Sequence, residues 1–353
     1  MSKQAKIKDI AAMAGVSAGT VDRILHNRGN VSAKSREAVE KVLSTVGYKY
    51  NLHTSAVSLK KEFTIVITTP LSDNGDYWRA IQSGIEQALK EYSDIAIRPV
   101  FSYYNQFDIY SCRSSFDGIV ASQPDAVIIA PTFISETKDL CDRLDSASIP
   151  YVFIDAVVEE THPIASFSTD QVTGGRLLGR LLHAITPADR SLAIFESQRI
   201  GNKQASNTIS RREGFMAYMK EVGREVLEAG FSVLYPDDNQ STVAAFFRDN
   251  PNVGGVAVMN SRGYIIADIM QREKIEGIRM VSFDLTRNNA HFLDNGTITA
   301  LLCQRAELQG YQAIIAAIRH LLYHQGEEIV HHKTPLDIIL KENRPYYRDF
   351  FGI

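Results

Sequence analysis

The chain has 353 residues, enough for two domains or more, and its 44% hydrophobic and 22% charged residues are typical of an ordinary soluble globular protein. The formal net charge of −3 hides an asymmetry: residues 1–61 carry eleven basic and four acidic side chains, whereas the remainder carries 27 basic and 37 acidic side chains. This asymmetry fits a polyanion-binding head on a body whose net charge does not attract the phosphates of a nucleic acid.

Cysteine usage and hydropathy indicate the compartment. Cys112, Cys141 and Cys303 are odd in number and widely spaced, so reduced thiols are the simplest interpretation. The first ten residues lack the apolar segment of a signal peptide, and no apolar run reaches the roughly 18 residues of a membrane helix. We therefore expect a cytoplasmic protein with no membrane partner.

The first predicted elements are two short helices within Lys8–Leu25. The first helix has one apolar stripe at i, i+3, i+4 and i+7, formed by Ile7, Ile10, Ala11 and Ala14. Gly15 supplies a turn, and Ser17 is a good N-cap for the second helix. Two short helices joined at a glycine predict a helix-turn-helix, which places its second helix in the DNA major groove.

A third helix is predicted between an N-cap at Ser32 and a stop at Gly47, which completes a small DNA-binding head over residues 1–50. Residues 51–61 form the join to the body. They are predicted to make one short hinge helix capped by Asn51, although isolated helices below about 12–15 residues are marginal in water. The state of this segment should therefore depend on its surroundings, and a plain flexible linker is the alternative.

From Phe63 onward, short β-branched runs such as FTIVITT, DAVIIA, YVFIDA, SLAIFE, GGVAVM and IRMVSFD alternate with amphipathic helices. This alternation predicts parallel sheets with helices on both faces. The elements are too numerous for one doubly wound domain, so we predict that an effector-binding domain, 62–353, contains two α/β lobes. Their expected ranges are about 62–163 with 288–320 for the first lobe, and about 164–287 with 321–353 for the second.

The residues IKDIAAMAGVSAGTVDRIL, VSAKSREAVEKVL and GYKYN closely resemble the DNA-binding head of the lac-repressor (LacI/GalR) family of bacterial regulators. The order of strands and helices in the body also resembles that family and the type I periplasmic sugar-binding proteins. The resemblance implies a homodimeric, ligand-controlled transcription regulator, and we expect a repressor that needs no cofactor. Its two heads would read a pseudo-palindromic operator, with hinge helices in the minor groove.

The residues of the head differ in their expected roles. Arg23 could donate two hydrogen bonds to O6 and N7 of a guanine. Ala18 and Gly19 occupy positions where the family usually reads bases, yet they offer no polar side chain. Asp22 replaces the serine of the family's TVSR pattern; it either accepts from a cytosine or holds a nearby arginine, and we favour the second role. Phosphate contacts, which set register without reading sequence, are expected from Ser17, Thr20, Asn27, Ser32 and Lys34.

The hinge departs from the family pattern. Tyr50 stands where proline is common, and Leu52 stands where arginine is frequent. Val57 stands at the leucine that wedges between the central base pairs, where a valine would unstack the step less deeply. Either Val57 or Leu59 is the wedge, and Asn51 is counted among the expected DNA contacts.

Polar side chains follow many of the predicted strands of the body. Ligands bind at the carboxyl ends of strands in open parallel sheets. Carboxylates, amides and one arginine around an aromatic pair suit a polyhydroxylated ring, and by resemblance each position matches one that binds sugar in the family. Tyr77 and Trp78 could instead only pack in the core. The expected ligand-binding residues are Asp73, Tyr77, Trp78, Asp155, Asp170, Arg211, Asn260, Asp284 and Gln304.

Catalytic motifs are missing from the predicted body, which has no G-x-G-x-x-G or Walker A loop after the first strand, no G-x-S-x-G elbow and no H-E-x-x-H. The GVSAG of residues 15–19 lies at the turn of the predicted helix-turn-helix and does not follow a strand. His320 and His324 share a helix face, but their motif has no acidic or cysteine partner, so we expect no metal site. The glycines within 174–179 are expected to serve close helix packing.

These observations favour a ligand-controlled transcriptional regulator over an enzyme or a transporter-associated binding protein. A sugar is the expected effector. The alternative is the same architecture responding to a nucleobase, a sugar phosphate or a protein partner.

Overall fold

The structure is a computed structural model that describes residues 7–25, 31–46, 61–73, 75–200, 206–323 and 330–347. Its first three helices are α1 (Ile7–Ala14), α2 (Ala18–Leu25) and α3 (Ala33–Val46). They pack around a small apolar core that consists of Ile10, Ala11, Val21, Ile24 and Val39. The predicted helix-turn-helix with a third helix is therefore confirmed in the described part of the head.

Local backbone conformation explains where the helices of the head begin. Gly15 has a φ of +66°, in the left-handed region that glycine adopts without strain. The Ser17 Oγ accepts a hydrogen bond from the backbone N–H of Thr20 at 3.1 Å, and the Ser32 Oγ accepts one from Ser35 at 3.2 Å. Both serines therefore cap their helices as predicted, because each satisfies a backbone donor that the helix leaves free.

The first sheet belongs to the first lobe and contains six parallel strands. Their order is β11 (Val330–Lys333), β5 (Ala165–Ser168), β4 (Tyr151–Asp155), β3 (Ala126–Ile129), β1 (Phe63–Pro70) and β2 (Ile97–Tyr104). One face of the sheet packs against α4 (Tyr77–Glu91) and α12 (Ala306–Tyr323). The other face packs against α5 (Ile109–Asp117) and α6 (Ile134–Ser146). Strand residues alternate between these two cores, as a strand buried on both faces requires.

The second sheet belongs to the second lobe. Its strand order is β12 (Asp337–Ile339), β10 (Ala300–Cys303), β9 (Arg279–Phe283), β8 (Val253–Val258), β6 (Ser191–Gln198) and β7 (Val226–Ser232). The short β12 runs antiparallel to β10, and the other described pairs are parallel. Helices α7 (Gln171–Ile185) and α8 (Ser206–Glu221) cover one face, and α9 (Asn239–Asp249), α10 (Gly263–Arg272) and α11 (Arg287–Asp294) cover the other. The predicted two doubly wound lobes are confirmed.

Glycines allow α7 and α8 to touch through their backbones. A Cβ on Gly175 would lie 1.8 Å from the carbonyl oxygen of Arg211, and a Cβ on Gly214 would lie 1.9 Å from that of Val172. No larger residue fits at either position without moving a helix. The glycines of the 174–179 segment therefore serve helix packing, as the sequence predicted.

The division of the chain between the lobes differs from the expected ranges. Strand β5 pairs with β4 in the first sheet, although residues from 164 onward were assigned to the second lobe. Strand β10 pairs with β9 in the second sheet, although 288–320 was assigned to the first lobe, and β11 returns to the first sheet. The alternation of strands and helices along the chain does not indicate which strands pair with one another. For this reason the predicted lobe ranges placed β5, β10 and β11 in the wrong lobe.

Two helices, α5 and α11, were not predicted from the sequence. Helix α5 contains three serines, which favour helix ends over helix interiors, and its N-cap is the Asp108 side chain. Helix α11 has only eight residues and is capped by Thr286. Among the described residues, no helix is both long and apolar enough to cross a membrane.

Candidate functional site

The carboxyl ends of strands from both lobes meet at one cavity. Asp155 ends β4 of the first lobe, and Asp284 directly follows β9 of the second lobe. Both aspartates have left-handed backbones, with φ of +71° and +65°, a conformation that costs free energy for a residue other than glycine. Such strain at two facing strand ends marks this edge of the lobes as a functional-site candidate.

The cavity is small and lined mostly by polar groups. Its volume is about 40 Å³, whereas pockets for small molecules commonly measure about 300–1,000 Å³. Its lining residues are Tyr77, Trp78, Gln106, Phe107, Asp155, Ser197, Arg199, Asn207, Thr208, Arg211, Asn260, Ser261, Asp284 and Gln304. A ligand larger than a few water molecules therefore enters only if these side chains, or the lobes that carry them, move apart.

Arg211 is the central cation of the site and is 1% exposed. Its guanidinium donates to the Gln171 Oε1 at 2.7 Å, to the Met259 carbonyl at 2.9 Å and to the Gln304 Oε1 at 2.7 Å. The same group stacks 3.9 Å from the centroid of the Phe283 ring. Because α8 packs directly on Gly175, the backbone of Arg211 is fixed, and the planar guanidinium is held in one orientation.

The two carboxylates are held by donors from different elements. Asp155 accepts from the Tyr77 hydroxyl at 2.7 Å and from the Asn207 Nδ2 of the opposite lobe at 3.0 Å. Asp284 accepts from the Gln304 Nε2 at 3.0 and 3.1 Å. Each of these donors and acceptors could exchange its present partner for a ligand hydroxyl, because a hydroxyl both donates and accepts.

Two aromatic side chains form the apolar wall of the cavity. Tyr77 and Trp78 are 6% and 4% exposed and meet edge to face, with ring centroids 5.1 Å apart. The Trp78 indole N–H donates to the Gln106 Oε1 at 3.1 Å. Both residues also belong to the core beneath α4, so packing and cavity lining, which the sequence left as alternatives, occur together.

Burial strongly affects the titration of this site. Burial raises the pKa of Asp284 to about 7, against the opposing field of Arg211, and burial also raises the pKa of Asp155. Burial lowers the pKa of Arg211, while the two carboxylates oppose that shift. The site therefore holds one cation between two carboxylates, of which Asp284 gains a proton near neutral pH.

Stability should follow the titration of Asp284. Between its ordinary pKa and about 7, the folded state holds a proton that the unfolded chain has released, so the free energy of unfolding should fall as pH rises from 5 to 8. Asp284→Asn should flatten this pH dependence. Chemical denaturation at a series of pH values measures how the free energy of unfolding changes with pH in the wild-type protein and in the variant. Equal pH dependence in the two proteins would contradict the assigned pKa.

Comparison with known proteins gives the family. Residues 6–51 match the family described as bacterial regulatory proteins, lacI family, and residues 65–327 match the periplasmic binding protein domain. A crystal structure from Bacteroides fragilis that is described as a LacI transcriptional regulator superposes with a TM-score of 0.77 and 30% identity over 81% of this chain and 100% of that chain. The chain belongs to the LacI family.

Two further relatives support the same assignment for this LacI-family regulator. The HTH-type transcriptional regulator GalS of Salmonella typhimurium is 23% identical over 74% of this chain and 76% of GalS. The ribose operon repressor of Lactococcus lactis is 26% identical over 61% of this chain and 60% of that repressor. The resemblance found in the sequence is therefore confirmed. The protein is a DNA-binding transcriptional regulator with a ligand-binding body, and its family members are regulators rather than enzymes.

The structure brings most of the expected ligand residues of the regulator together. Seven of the nine line the cavity, namely Tyr77, Trp78, Asp155, Arg211, Asn260, Asp284 and Gln304. Asp73 and Asp170 lie outside it, contrary to expectation. Asp73 is exposed, and Asp170 accepts from the Thr173 N–H at 2.9 Å as the N-cap of α7 and pairs with Lys333 at 2.6 Å. An aspartate after a strand often serves the next helix in this way.

Sequence reasoning missed half of the cavity lining. The missed residues are Gln106, Phe107, Ser197, Arg199, Asn207, Thr208 and Ser261. Four of them lie at or just after the ends of β2 and β6, so the strand-end rule would have found them had it been applied to every strand. Asn207 and Thr208 lie in the first turn of α8, where the sequence offered no separate signal.

The described part of the head presents the recognition helix to solvent. In α2, Val21 and Ile24 are buried, whereas Ala18, Gly19 and Arg23 are exposed. The Ser17 and Thr20 hydroxyls bond each other at 2.9 Å, Asp22 is half-buried, and Ser32 and Lys34 are exposed at the start of α3. Asn27, Asn51, Val57 and Leu59, and with them the predicted hinge, lie outside the described residues.

Proposed function

We propose that this regulator binds operator DNA as a homodimer in the cytoplasm and that a sugar bound between the two lobes sets its DNA affinity. The observation that carries the proposal is the pairing of Asp155 and Asp284 from opposite lobes around Arg211, beside an aromatic wall. Relatives whose names link them to ribose and sucrose operons support a sugar as the effector class.

The chemistry of the cavity suits a polyhydroxylated ring. Carboxylates accept hydrogen bonds from hydroxyl groups, and the Arg211 guanidinium and the Gln304 amide donate to ring and hydroxyl oxygens. Trp78 lines the cavity and supplies apolar aromatic surface against which the C–H groups of a sugar would pack. These groups now bond one another, so a sugar would replace internal hydrogen bonds rather than create unsatisfied ones.

Contacts across the cleft support a lobe-closure mechanism. Asp76 at the N-terminus of α4 pairs with Arg262 at the N-terminus of α10 at 2.9 Å, and both side chains are largely buried. The Arg287 N–H donates to the Gly75 carbonyl at 2.8 Å across the same cleft. A ligand that bonds groups of both lobes stabilises this closed arrangement, and in a two-state protein it shifts the population by its difference in affinity for the two states.

The exposed face of α2 supports DNA reading by the head. The second helix of a helix-turn-helix lies in the major groove, where an arginine donates to both guanine acceptors. Arg23 is the exposed cation of this helix, and the small residues Ala18 and Gly19 allow the helix to approach the groove closely. The basic composition of residues 1–61 supplies the attraction to phosphate.

Replacing Arg23 should weaken operator binding selectively. Arg23→Ala should cost about 1–3 kcal/mol of operator affinity and relax the base preference at one position of each half-site. The affinity for random DNA should change little. Fluorescence anisotropy with an operator duplex and a random duplex measures the two affinities. The matched control is Arg180→Ala, which replaces an exposed arginine on α7. An unchanged operator affinity in the Arg23 variant would refute the assigned role.

Selection of bound DNA tests the proposed function as a whole. The full-length protein should enrich a palindromic sequence from a random duplex pool, and the amount recovered should change when the right sugar is added. Trp78 is the single tryptophan and lines the cavity, so its fluorescence identifies that sugar in a panel of mono- and oligosaccharides. Enrichment that no sugar alters, together with a Trp78 signal that responds only to purines, would exclude the sugar proposal.

A further inference from the structure

Arg199 is a second cation of the cavity, separate from the Arg211 network. It directly follows β6 of the second lobe and reaches across to the first lobe, where its Nη1 donates to the Thr132 carbonyl at 3.2 Å. Its guanidinium lies 4.7 Å from the centroid of the Phe133 ring and 5.6 Å from that of Phe107. Two aromatic rings and one backbone carbonyl therefore position this charge at the wall of the cavity.

No carboxylate within the described ranges pairs with Arg199. Arg262 and Arg305 differ in this respect, because Arg262 pairs with Asp76 and Arg305 pairs with Asp337. The pKa of Arg199 is lowered to about 10 by burial, whereas Asp155 and Asp284 act on Arg211 instead. A buried charge is normally compensated by a counter-ion, because desolvation of an unpaired ion is expensive.

Neutral donors accompany Arg199 in the cavity lining. Ser197 lies two residues before Arg199, and residues at this spacing along a strand point to the same side. The Ser197 Oγ accepts a hydrogen bond from the Asn260 Nδ2 at 2.9 Å, so its hydroxyl proton is available for donation to a ligand. The Gln106 Oε1 accepts a hydrogen bond from the Trp78 indole N–H, so the Nε2 of the same amide is the group that can donate to a ligand. A cation with a hydroxyl and an amide donor is the usual composition of a site for phosphate or carboxylate oxygens.

We infer that the effector carries an anionic group, a phosphate or a carboxylate, which pairs with Arg199 while the hydroxyl-bearing ring of the same molecule bonds Asp155, Asp284 and Arg211. The inference rests on the proposed function, since it specifies the chemical class of the ligand in the same cavity. A sugar phosphate and a sugar acid both satisfy it. The competing role for Arg199 is purely positional, as a strap that holds the second lobe to Thr132.

The test compares neutral sugars with their own anionic derivatives on the full-length protein. Glucose is compared with glucose 6-phosphate and glucuronate, ribose with ribose 5-phosphate, and fructose with fructose 1-phosphate and fructose 6-phosphate, by Trp78 fluorescence and calorimetry. One derivative should bind about ten- to hundredfold more tightly than its neutral parent, which is the usual effect of a charge-assisted hydrogen bond. Comparing the phosphorylated sugars with the sugar acid shows whether the anionic group of the effector is a phosphate or a carboxylate.

Variants separate a ligand-binding role from a positional role. Arg199→Gln should remove the preference for the anionic derivative and leave the neutral parent nearly unaffected, whereas Arg199→Lys should retain part of the preference. Arg98→Gln, an exposed arginine on β2, is the matched control. The wild-type panel needs no variant, so the inference stays testable if Arg199→Gln fails to fold.

The possible failures are distinguishable. Neutral sugars that bind more tightly than every derivative, or an Arg199→Gln variant that weakens neutral and anionic members equally, would overturn the anionic effector and leave the sugar-controlled regulator intact. A panel in which no sugar or derivative binds, while operator DNA still binds, would contradict both proposals.

Discussion

Arg211→Met should abolish effector binding and destabilise the body by about 3–5 kcal/mol, because it removes the one cation between two buried carboxylates. The loss of stability should be larger at pH 8 than at pH 5, because burial raises the pKa of Asp284 to about 7 and this carboxyl is therefore neutral at the lower pH. Methionine fills most of the arginine's volume, so a cavity contributes little. Chemical denaturation gives the stability, and Trp78 fluorescence gives the effector affinity.

The matched control for Arg211 is Arg176→Met on the neighbouring helix. Arg176 makes a bidentate pair with Glu221 at the surface, with side chains 40% and 56% exposed, where such pairs contribute about 0–1 kcal/mol. Equal destabilisation by both substitutions would show that burial of the Arg211 charge has no special energetic role.

Gly175→Ala should be the second severe substitution, although it adds only one methyl group at a position that does not line the polar cavity. The new Cβ would lie 1.8 Å from the carbonyl oxygen of Arg211, so α7 and α8 must separate, at a cost of about 1–3 kcal/mol or more. The displaced helix carries Arg211 and Asn207, so effector affinity should fall together with stability. Thermal unfolding and a Trp78 titration measure the two effects.

Gly118→Ala is the control for the added methyl group. Gly118 has a φ of −88° and no atom within 4 Å of its ideal Cβ, so alanine should be neutral or slightly stabilising there. A Gly175→Ala protein with wild-type stability and wild-type effector affinity would contradict the proposed dependence of the site on the contact between α7 and α8.

The parts that depend on local sequence could be predicted. The caps at Ser17 and Ser32 were correct because each cap is determined by a side chain and a backbone donor a few residues apart. Asp155 and Asp284 were found at the cavity because parallel strands bring their carboxyl ends to the same edge. These rules need only the periodicity of the apolar residues and the residue types at the ends of helices and strands.

The parts that depend on long-range choices could not be predicted. Asp170 follows a strand just as Asp155 does, but its side chain satisfies the N-terminus of α7 and Lys333, which lies 163 residues away in the chain. The partners of β5 and β10 were misassigned because an apolar run does not encode which sheet it joins. The strand-end rule would have placed Arg199 at the cavity, but its contacts with Thr132 and Phe133 of the opposite lobe could not be predicted, because no spacing in the sequence connects these residues with it.

The central claim is that a ligand bound between the lobes controls operator binding, and an operator titration tests it most directly. Operator affinity is measured for the wild-type protein and for Asp284→Asn, each without effector and at the effector concentration that saturates the wild-type protein. We expect the effector to change the operator affinity of the wild-type protein by about fivefold or more, as allosteric coupling usually does, and to leave that of the variant nearly unchanged. An unchanged operator affinity in the wild-type protein, or the same change in both proteins, would contradict the central claim.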